Sequence, residues 1–252
     1  MIQLIDLSKM YCRFKAVDRV NLHVKKGTRF GFLGPNGAGK TTTIKMMAGV
    51  LKPTSGRVFI CGHDLARKPS EAKQCLGFIP DRPFLYEKLT GWEFLQFMAG
   101  LYRMDHSPRV IERIRGLLER FDLDLWKEEL IESYSHGMKQ RLIMCAALIH
   151  RPPVILVDEP MVGLDPKGAR LVKDIFVEES QNGTTLFMST HSLEVAEEVC
   201  QEIAIIQAGR IIAQGTAPSL REQTGVDGNL EQIFLRLTEG SRIAHERPLS
   251  AR

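Results

Sequence analysis

The sequence lacks any apolar run able to cross a bilayer. Its longest unbroken stretch, Leu142 to Ile149, falls far short of the roughly 18–20 residues that a spanning helix needs. The N-terminus, Met1-Ile2-Gln3-Leu4-Ile5-Asp6, has none of the basic, apolar and small-residue regions of a signal peptide, so a cytoplasmic chain is expected. The five cysteines (Cys12, Cys61, Cys75, Cys145, Cys200) are odd in number, scattered, and form no CxxC or Cys/His cluster. That spacing gives no support to a zinc site and reads as reduced thiols, several packed as small hydrophobes, rather than as a redox device. Internal repeats and low-complexity segments are missing too. Charge of one sign is scarce in excess: the net charge is +4, spread along the chain. It permits contact with an anionic ligand or an acidic membrane surface but is no nucleic-acid footprint. What is present is the composition of a globular protein with a real core, 44% apolar and 25% charged over 252 residues, enough for one to two domains at about 150 residues each.

The first 35 residues read as short strands. Leu22-His23-Val24 alternates before a turn at Lys26-Gly27, and Arg29 to Leu33 runs into a glycine loop. Behind that loop Ile44, Met47 and Leu51 share one helical face, and the helix is expected to end before Pro53. Arg57 to Ile60 predicts another strand. The middle of the chain turns helical over about 84–150. Thr90-Gly91-Trp92-Glu93 is a capping box, followed by Phe94, Phe97, Met98 and Leu101 on one face. Ser107 and Pro108 open a second helix with a stripe of Val110 or Ile111, Ile114, Leu117 or Leu118, then Phe121, and a third runs from about Gly137 to Ile149. The α/β pattern then resumes. Val154 to Val157 is a continuous apolar strand of the kind buried on both faces, Asp165-Pro166 opens a helix, Thr184 to Met188 is the next strand and Ser192 caps the next helix. Ile203–Ile206 and Arg210–Ala213 flank a hairpin turn at Gln207-Ala208-Gly209. Strands alternating with helices predict a mainly parallel sheet with crossover helices.

Two segments carry chemistry of their own. Gly34-Pro35-Asn36-Gly37-Ala38-Gly39-Lys40-Thr41 fits G-x-x-x-x-G-K-[ST] between an apolar strand and a helix. Its glycines let successive backbone N–H groups point at phosphate oxygens, and the helix start adds its positive dipole end. Lys40 is expected on the β- and γ-phosphates and the Thr41 hydroxyl on Mg²⁺. The strand 154–157 ends in Asp158-Glu159, where Asp158 would hold Mg²⁺ and Glu159 would reach, as general base, a water lined up on the γ-phosphate.

With these residues the chain resembles the ATP-binding-cassette family over about residues 2 to 216. The discriminating segment is Tyr134-Ser135-His136-Gly137-Met138, similar to the family's Leu-Ser-Gly-Gly-Gln signature, with Ser135 and Gly137 matching and His136 and Met138 departing. The resemblance implies an α/β P-loop NTPase fold: a mainly parallel sheet, an N-terminal antiparallel β subdomain and an inserted helical subdomain, within a nucleotide-binding domain at 1–217 followed by a partly helical tail at 218–252. It also implies ATP and Mg²⁺ as ligands, Tyr11 stacked on adenine, Gly34 to Thr42 (Ala38 and Thr42 included) around the phosphates, and His191 contacting the γ-phosphate. Val162 to Pro166 looks like the family's D-loop, with Asp165 in it. Ser135 and Gly137 would close over ATP held by a second cassette, so two chains must face each other head to tail.

At the position where the family places a glutamine stands Asp81, in Ile79-Pro80-Asp81-Arg82-Pro83. It either binds the metal through water or pairs with Arg82 and takes no direct part. In the family the segment around Asp81 to Leu89 docks a coupling helix of a transmembrane partner. Phe84, Leu85 and Tyr86 are then either exposed anchors or packing for the insert's own core. The resulting expectation is an ATPase subunit of a membrane transporter, most like bacterial export cassettes, peripheral on the inner face of the membrane and paired with separate transmembrane subunits and a second copy or homologue. A soluble cassette acting on ribosomes or DNA generally carries two cassettes or an inserted coiled coil, and neither is visible here. The presence of Glu159 and His191 argues against a hydrolysis-dead regulatory switch. The tail stripe Leu230, Ile233, Phe234, Leu237 is compatible with a regulatory helix or a dimer contact.

Overall fold

The computed structural model describes residues 1–245 except 83, 106 and 227, with side chains through residue 238. Pro83 and residues 246–252 of the tail therefore lie outside the described residues. The chain opens with β1 (Ile2–Tyr11) and β2 (Phe14–Val24), an antiparallel hairpin turned at Cys12-Arg13 with Cys12 at φ 52°. These strands are long, where short ones were expected. Register shifts around Leu7 and Lys9 break the strict alternation by which a half-buried strand is recognised. β3 (Arg29–Leu33) then enters a second sheet and feeds α1 (Lys40–Met47). That helix stops before the predicted end, since Gly49 takes φ 66° and its N–H bonds back to the Met46 carbonyl, leaving Leu51 beyond the helix.

β4 (Ser55–Ile60) and the short β5 (His63–Asp64) complete the first sheet, in the order β2-β1-β4-β5, all antiparallel. α2 (Pro69–Gln74) leads into β6 (Leu76–Ile79), a strand that the sequence pattern does not reveal. The helical insert follows. α3 (Gly91–Leu101) starts with the predicted capping box, Thr90 N–H donating to Glu93 at 2.9 Å and Glu93 N–H to the Thr90 hydroxyl oxygen at 3.1 Å. Its buried face is rotated from the expected one: Phe94, Leu95 and Ala99 are buried, whereas Phe97 and Leu101 are exposed. α4 (Pro108–Arg120) buries Val110, Ile114, Leu117 and Leu118 as its periodicity predicts. Ser107 stands at its N-cap, but its hydroxyl donates to Asp105 and makes no capping bond. α5 (His136–Leu148) closes the insert.

The second sheet is completed by β7 (Val154–Asp158), α6 (Pro166–Gln181), β8 (Thr185–Thr190), α7 (Leu193–Val199), β9 (Glu202–Gln207) and β10 (Arg210–Gly215). Its order is β10-β9-β3-β8-β7-β6, parallel throughout except for the β9–β10 hairpin. β7 and β8 are wholly buried because one apolar cluster lies on each sheet face. Leu156, Phe187 and Phe32 meet α1 and the antiparallel sheet, while Ile155, Val157 and Met188 meet the insert and α6. The insert is tied to the sheet at Leu76, whose carbonyl accepts from His150 Nε2 at 3.1 Å and from the Tyr102 hydroxyl at 3.4 Å, with the two rings stacked at 3.6 Å. Burial pushes the His150 pKa down to about 4, so a neutral ring makes that bond.

The tail forms α8 (Ala217–Thr224) and α9 (Leu230–His245). Its apolar stripe is spent within the same chain: Leu230 and Ile233 are fully buried against Leu33, Ala196, Ile205 and Leu220, with Phe234 and Leu237 packed beside them. Gln207, at the end of β9, donates to the Thr238 carbonyl at 3.1 Å. Among the described residues no helix is long and apolar enough to cross a membrane. Ile233→Ala should therefore destabilise the chain by about 2–5 kcal/mol, the usual cost of truncating a buried isoleucine, read as a lower chemical-denaturation midpoint. An unchanged midpoint would mean that α9 does not dock.

Candidate functional site

Four parallel strands end at one edge of the second sheet, and each delivers part of the site there, the position at which open α/β sheets bind ligands. β3 runs into the glycine loop 34–39, β6 through Pro80 to Asp81, β7 to Asp158-Glu159, and β8 to Ser189, Thr190 and His191. In register, Asp158 lies opposite Ser189. The hairpin tip of β1–β2 overhangs this edge.

The loop's shape is fixed by its surroundings. Gly39, at φ 108° as the N-cap of α1, has no room for a side chain, because a Cβ there would fall 2.5 Å from the Ala16 carbonyl oxygen. The Ala38 carbonyl accepts from Gly209 N–H at 3.0 Å, which ties the loop to the β9–β10 turn. Lys40 is buried and donates to the carbonyls of Gly34 at 2.7 Å and Pro35 at 3.3 Å, with its ammonium 3.9 Å from Glu159. Burial lowers its pKa, against the opposing pull of Glu159 and Asp158.

Beside the loop lies a cleft of about 420 Å³. Asn36, Gly37, Gly39, Lys40, Thr41 and Thr42 line it together with Asp81, Glu159 and His191, and the exposed Tyr11 joins them at its mouth. Gly34, Pro35 and Ala38 belong to the loop without lining the cleft, the first two serving as acceptors for Lys40. Glu159 takes the left-handed φ of 52°, its N–H donating to the Ser189 carbonyl at 3.1 Å. Its carboxylate is 2.9 Å from His191 Nδ1 and accepts from the His191 backbone N–H at 3.4 Å. A strained backbone at a carboxylate held between a lysine and a histidine is an arrangement that active sites retain.

Asp158 lies directly beneath, fully buried. The Ser189 hydroxyl donates to it and the Thr41 hydroxyl lies nearby, yet its Oδ2 has no hydrogen-bond partner among the described residues. Burial raises its pKa, the two hydroxyls lower it, and the charges of Asp81 and Glu159 raise it further. A buried carboxylate oxygen with no donor, next to a threonine hydroxyl and a second carboxylate, fits a hard divalent cation. The described residues hold no cluster of three or more His, Cys, Asp or Glu that could cage a metal. Mg²⁺ is a hard cation that takes one or two carboxylates and fills its other positions with water and substrate phosphate.

Ser135, Gly137 and Asp165 do not line this cleft. Ser135 is exposed and caps α5, its hydroxyl oxygen accepting from Met138 N–H at 3.2 Å, and Asp165 caps α6, accepting from Gly168 N–H at 2.9 Å. Of the aromatic segment near Asp81, Phe84 and Tyr86 are 82% and 50% exposed, while Leu85 is buried and serves the insert's core instead of an interface. Tyr86 stacks edge-on with Phe97 at 5.3 Å, giving the misassigned face of α3 its outward aromatic. Two participants escaped the sequence pattern. Phe14 lines the cleft mouth with Ala16 and is the cross-strand partner of Tyr11, a pairing visible only once the hairpin register is known. Ser189, which stands opposite Asp158 across β7 and β8, supplies the hydroxyl to that carboxylate.

Residues 17–162 match the family model described as ABC transporter. Among curated relatives, the chain is 39% identical to the daunorubicin resistance ATP-binding protein DrrA3 of Streptomyces coeruleorubidus, over 87% of this chain and 69% of that one. It is 34% identical to the linearmycin resistance ATP-binding protein LnrL of Bacillus subtilis, over 97% and 78%. Among solved structures, an ATP-binding subunit of an ABC transporter superposes with a TM-score of 0.89 at 33% identity, covering 94% of this chain and 99% of that one. A dimeric ATP-binding cassette in a post-hydrolysis state, bound to ADP and phosphate, superposes at 0.79 with 25% identity, covering 86% and 98%.

The electrostatics predict a pH signature in the ligand-free protein. Because the pKa of Asp158 is raised in the fold, its contribution is most favourable when protonated and is lost as pH rises through that raised value. Melts of wild type and Asp158→Asn should therefore diverge in favour of the variant as pH rises above 3.8, the ordinary aspartate value, and the difference should level off once Asp158 is ionised. Parallel melting curves across that range would contradict the assignment.

Proposed function

The chain belongs to the ABC transporter family and is an ATP-binding cassette ATPase, and from that premise we propose that it is the ATPase subunit of an exporter of small toxic compounds, bound to the inner face of the membrane through separate transmembrane subunits. The observation that carries the reading is the contact of Glu159 with both Lys40 and His191 at the end of the phosphate-loop cleft, above buried Asp158. The names of the two drug-resistance relatives support the export direction. The unit 1–217 carries the nucleotide chemistry, and the tail at 218–252 is an addition whose residues Leu220, Leu230 and Ile233 pack onto it.

In this reading ATP enters with its adenine on Tyr11 and its phosphates along the N–H groups of loop 34–39 and α1. Lys40 leaves its own loop carbonyls for the β- and γ-phosphates, a change favoured because the buried ammonium gains anionic partners. Thr41 and Asp158, with Asp81 through water, would hold Mg²⁺, which when bound neutralises charge on the phosphate oxygens. Glu159 orients a water on the γ-phosphate and takes its proton, and His191 holds the carboxylate and senses the terminal phosphate. Ser135, exposed, and Gly137, half-buried, do not line the cleft and then serve the nucleotide of a second cassette facing head to tail. The dimeric neighbour supports that pairing. Exposed Phe84, Tyr86 and Phe97 form an aromatic patch suited to a helix of the transmembrane partner.

Glu159→Gln should keep ATP affinity, slow hydrolysis by about 10²–10⁴-fold and accumulate as an ATP-bound dimer on size exclusion. Lys40→Ala should lose binding by calorimetry. Turnover at the wild-type rate in Glu159→Gln would remove the base assignment. For Asp81, the expected outcome of Asp81→Gln is a shifted Mg²⁺ dependence of the ATPase rate, and an identical titration would take the residue out of the metal site.

A further inference from the structure

Of the two departures from the signature pattern, Met138 packs into the insert's core, whereas His136 faces outward at the first turn of α5. Its ring does not stand free. It lies against the backbone of Gly163: a Cβ at that glycine would fall 2.0 Å from His136 Cδ2 and 2.5 Å from Nε2. Gly163 takes φ 79°, so the position is closed to a side chain twice over, by conformation and by the imidazole. A second approach lies alongside, since a Cβ on Gly137 would meet the Gly163 carbonyl oxygen at 3.3 Å and Leu164 Cδ2 at 3.7 Å.

Gly163 is the middle of the loop that begins at Glu159 and ends at Asp165. Both ends are fixed, Glu159 N–H on the Ser189 carbonyl at 3.1 Å and Asp165 as the cap of α6. The span between them is closed by two long turn bonds, Val162 N–H to Glu159 O and Leu164 N–H to Met161 O, each 3.3 Å. A planar ring seated on the one residue of this loop that has no side chain removes the space into which the loop could sag.

We propose that His136 is a positioning residue for the hydrolytic step: its ring braces Gly163, so that the loop carrying Glu159 and the N-terminus of α5 carrying Ser135 move as one body. The brace acts by volume and shape, not by titration. Loss of the ring frees the loop, and the slack reaches the reaction as poorer alignment of the Glu159 carboxylate. His136 does not line the chain's own cleft, so binding of ATP there does not depend on its ring. The inference rests on the ATPase reading of the Glu159 site.

The test is steady-state ATPase kinetics on the full chain, with folding of each variant checked by its melting curve. His136→Gly should lower kcat by about tenfold, inside the limit of about 10²-fold that a misplacement of 1 Å imposes, while ATP binding to the chain's own cleft, read by calorimetry on the Glu159→Gln background and on the wild type alike, is no weaker than without the substitution. His136→Phe, which keeps a planar ring, should retain most of the wild-type kcat. Gly163→Ala should be poorer than His136→Gly, and His136→Gly/Gly163→Ala should recover part of that loss because the clash is gone, a non-additivity that a double-mutant cycle reads directly. The proposal is overturned by wild-type kcat in His136→Gly, by Phe behaving like Gly, or by additive effects in the cycle. Lys40→Ala in the same series tests the nucleotide site separately: loss of ATP binding there, with unchanged kcat in His136→Gly, removes the brace and leaves the ATPase reading intact.

Discussion

Folding of this chain places one carboxylate where water cannot reach it and leaves one of its oxygens without a donor. Asp158 ends a strand that is buried along its whole length, so the charge cannot escape to the surface without unpicking the centre of the sheet. Two hydroxyls, from Thr41 and Ser189, offset part of the desolvation, and the neighbouring carboxylates make the rest worse. Lys40 is in a similar position, an ammonium held by carbonyls of its own loop. The ligand-free site is thus a pair of incompletely compensated charges, and an anion bearing a divalent cation resolves both at once.

That arrangement depends on strand order more than on any one motif. β3, β8, β7 and β6 are neighbours and parallel, so their C-terminal ends are level. The loop, Asp81, the Asp158-Glu159 pair and His191 arrive from positions far apart in the chain yet face one cleft. The antiparallel sheet contributes from outside this frame, supplying Tyr11 and Phe14 at a hairpin tip and the Ala16 carbonyl against which Gly39 is packed. Ser135 and Gly137 are positioned by the insert on a different surface. The site is accordingly divided between what one chain assembles and what it presents outward.

The readable parts of the sequence were those whose physics is local. The phosphate loop, the capping box at Thr90 and the unbroken apolar run of β7 each announce themselves within a few residues, as does the α4 stripe. β6 does not, because Leu76-Gly77-Phe78-Ile79 is short, carries a glycine and shows no alternation; only its neighbours make it a strand. The face of α3 was misread for a related reason. Phe97 and Leu101 continue a helical stripe from Phe94, but the burying surface is set by α5 and the loop carrying Leu85, and it selects Leu95 and Ala99. Phe14 and Ser189 owe their parts to register, which no single segment encodes. The tail's stripe was legible as amphipathic, while its target was not, since Leu33 and Leu230 lie nearly the whole chain apart.

Leu33 is the residue immediately before the phosphate loop, and it shares a buried apolar cluster with Leu230 and Ile233. The first turn of α9 therefore supports the end of β3 from which the phosphate loop departs. Variation in this tail is tolerable only where those two aliphatic contacts persist.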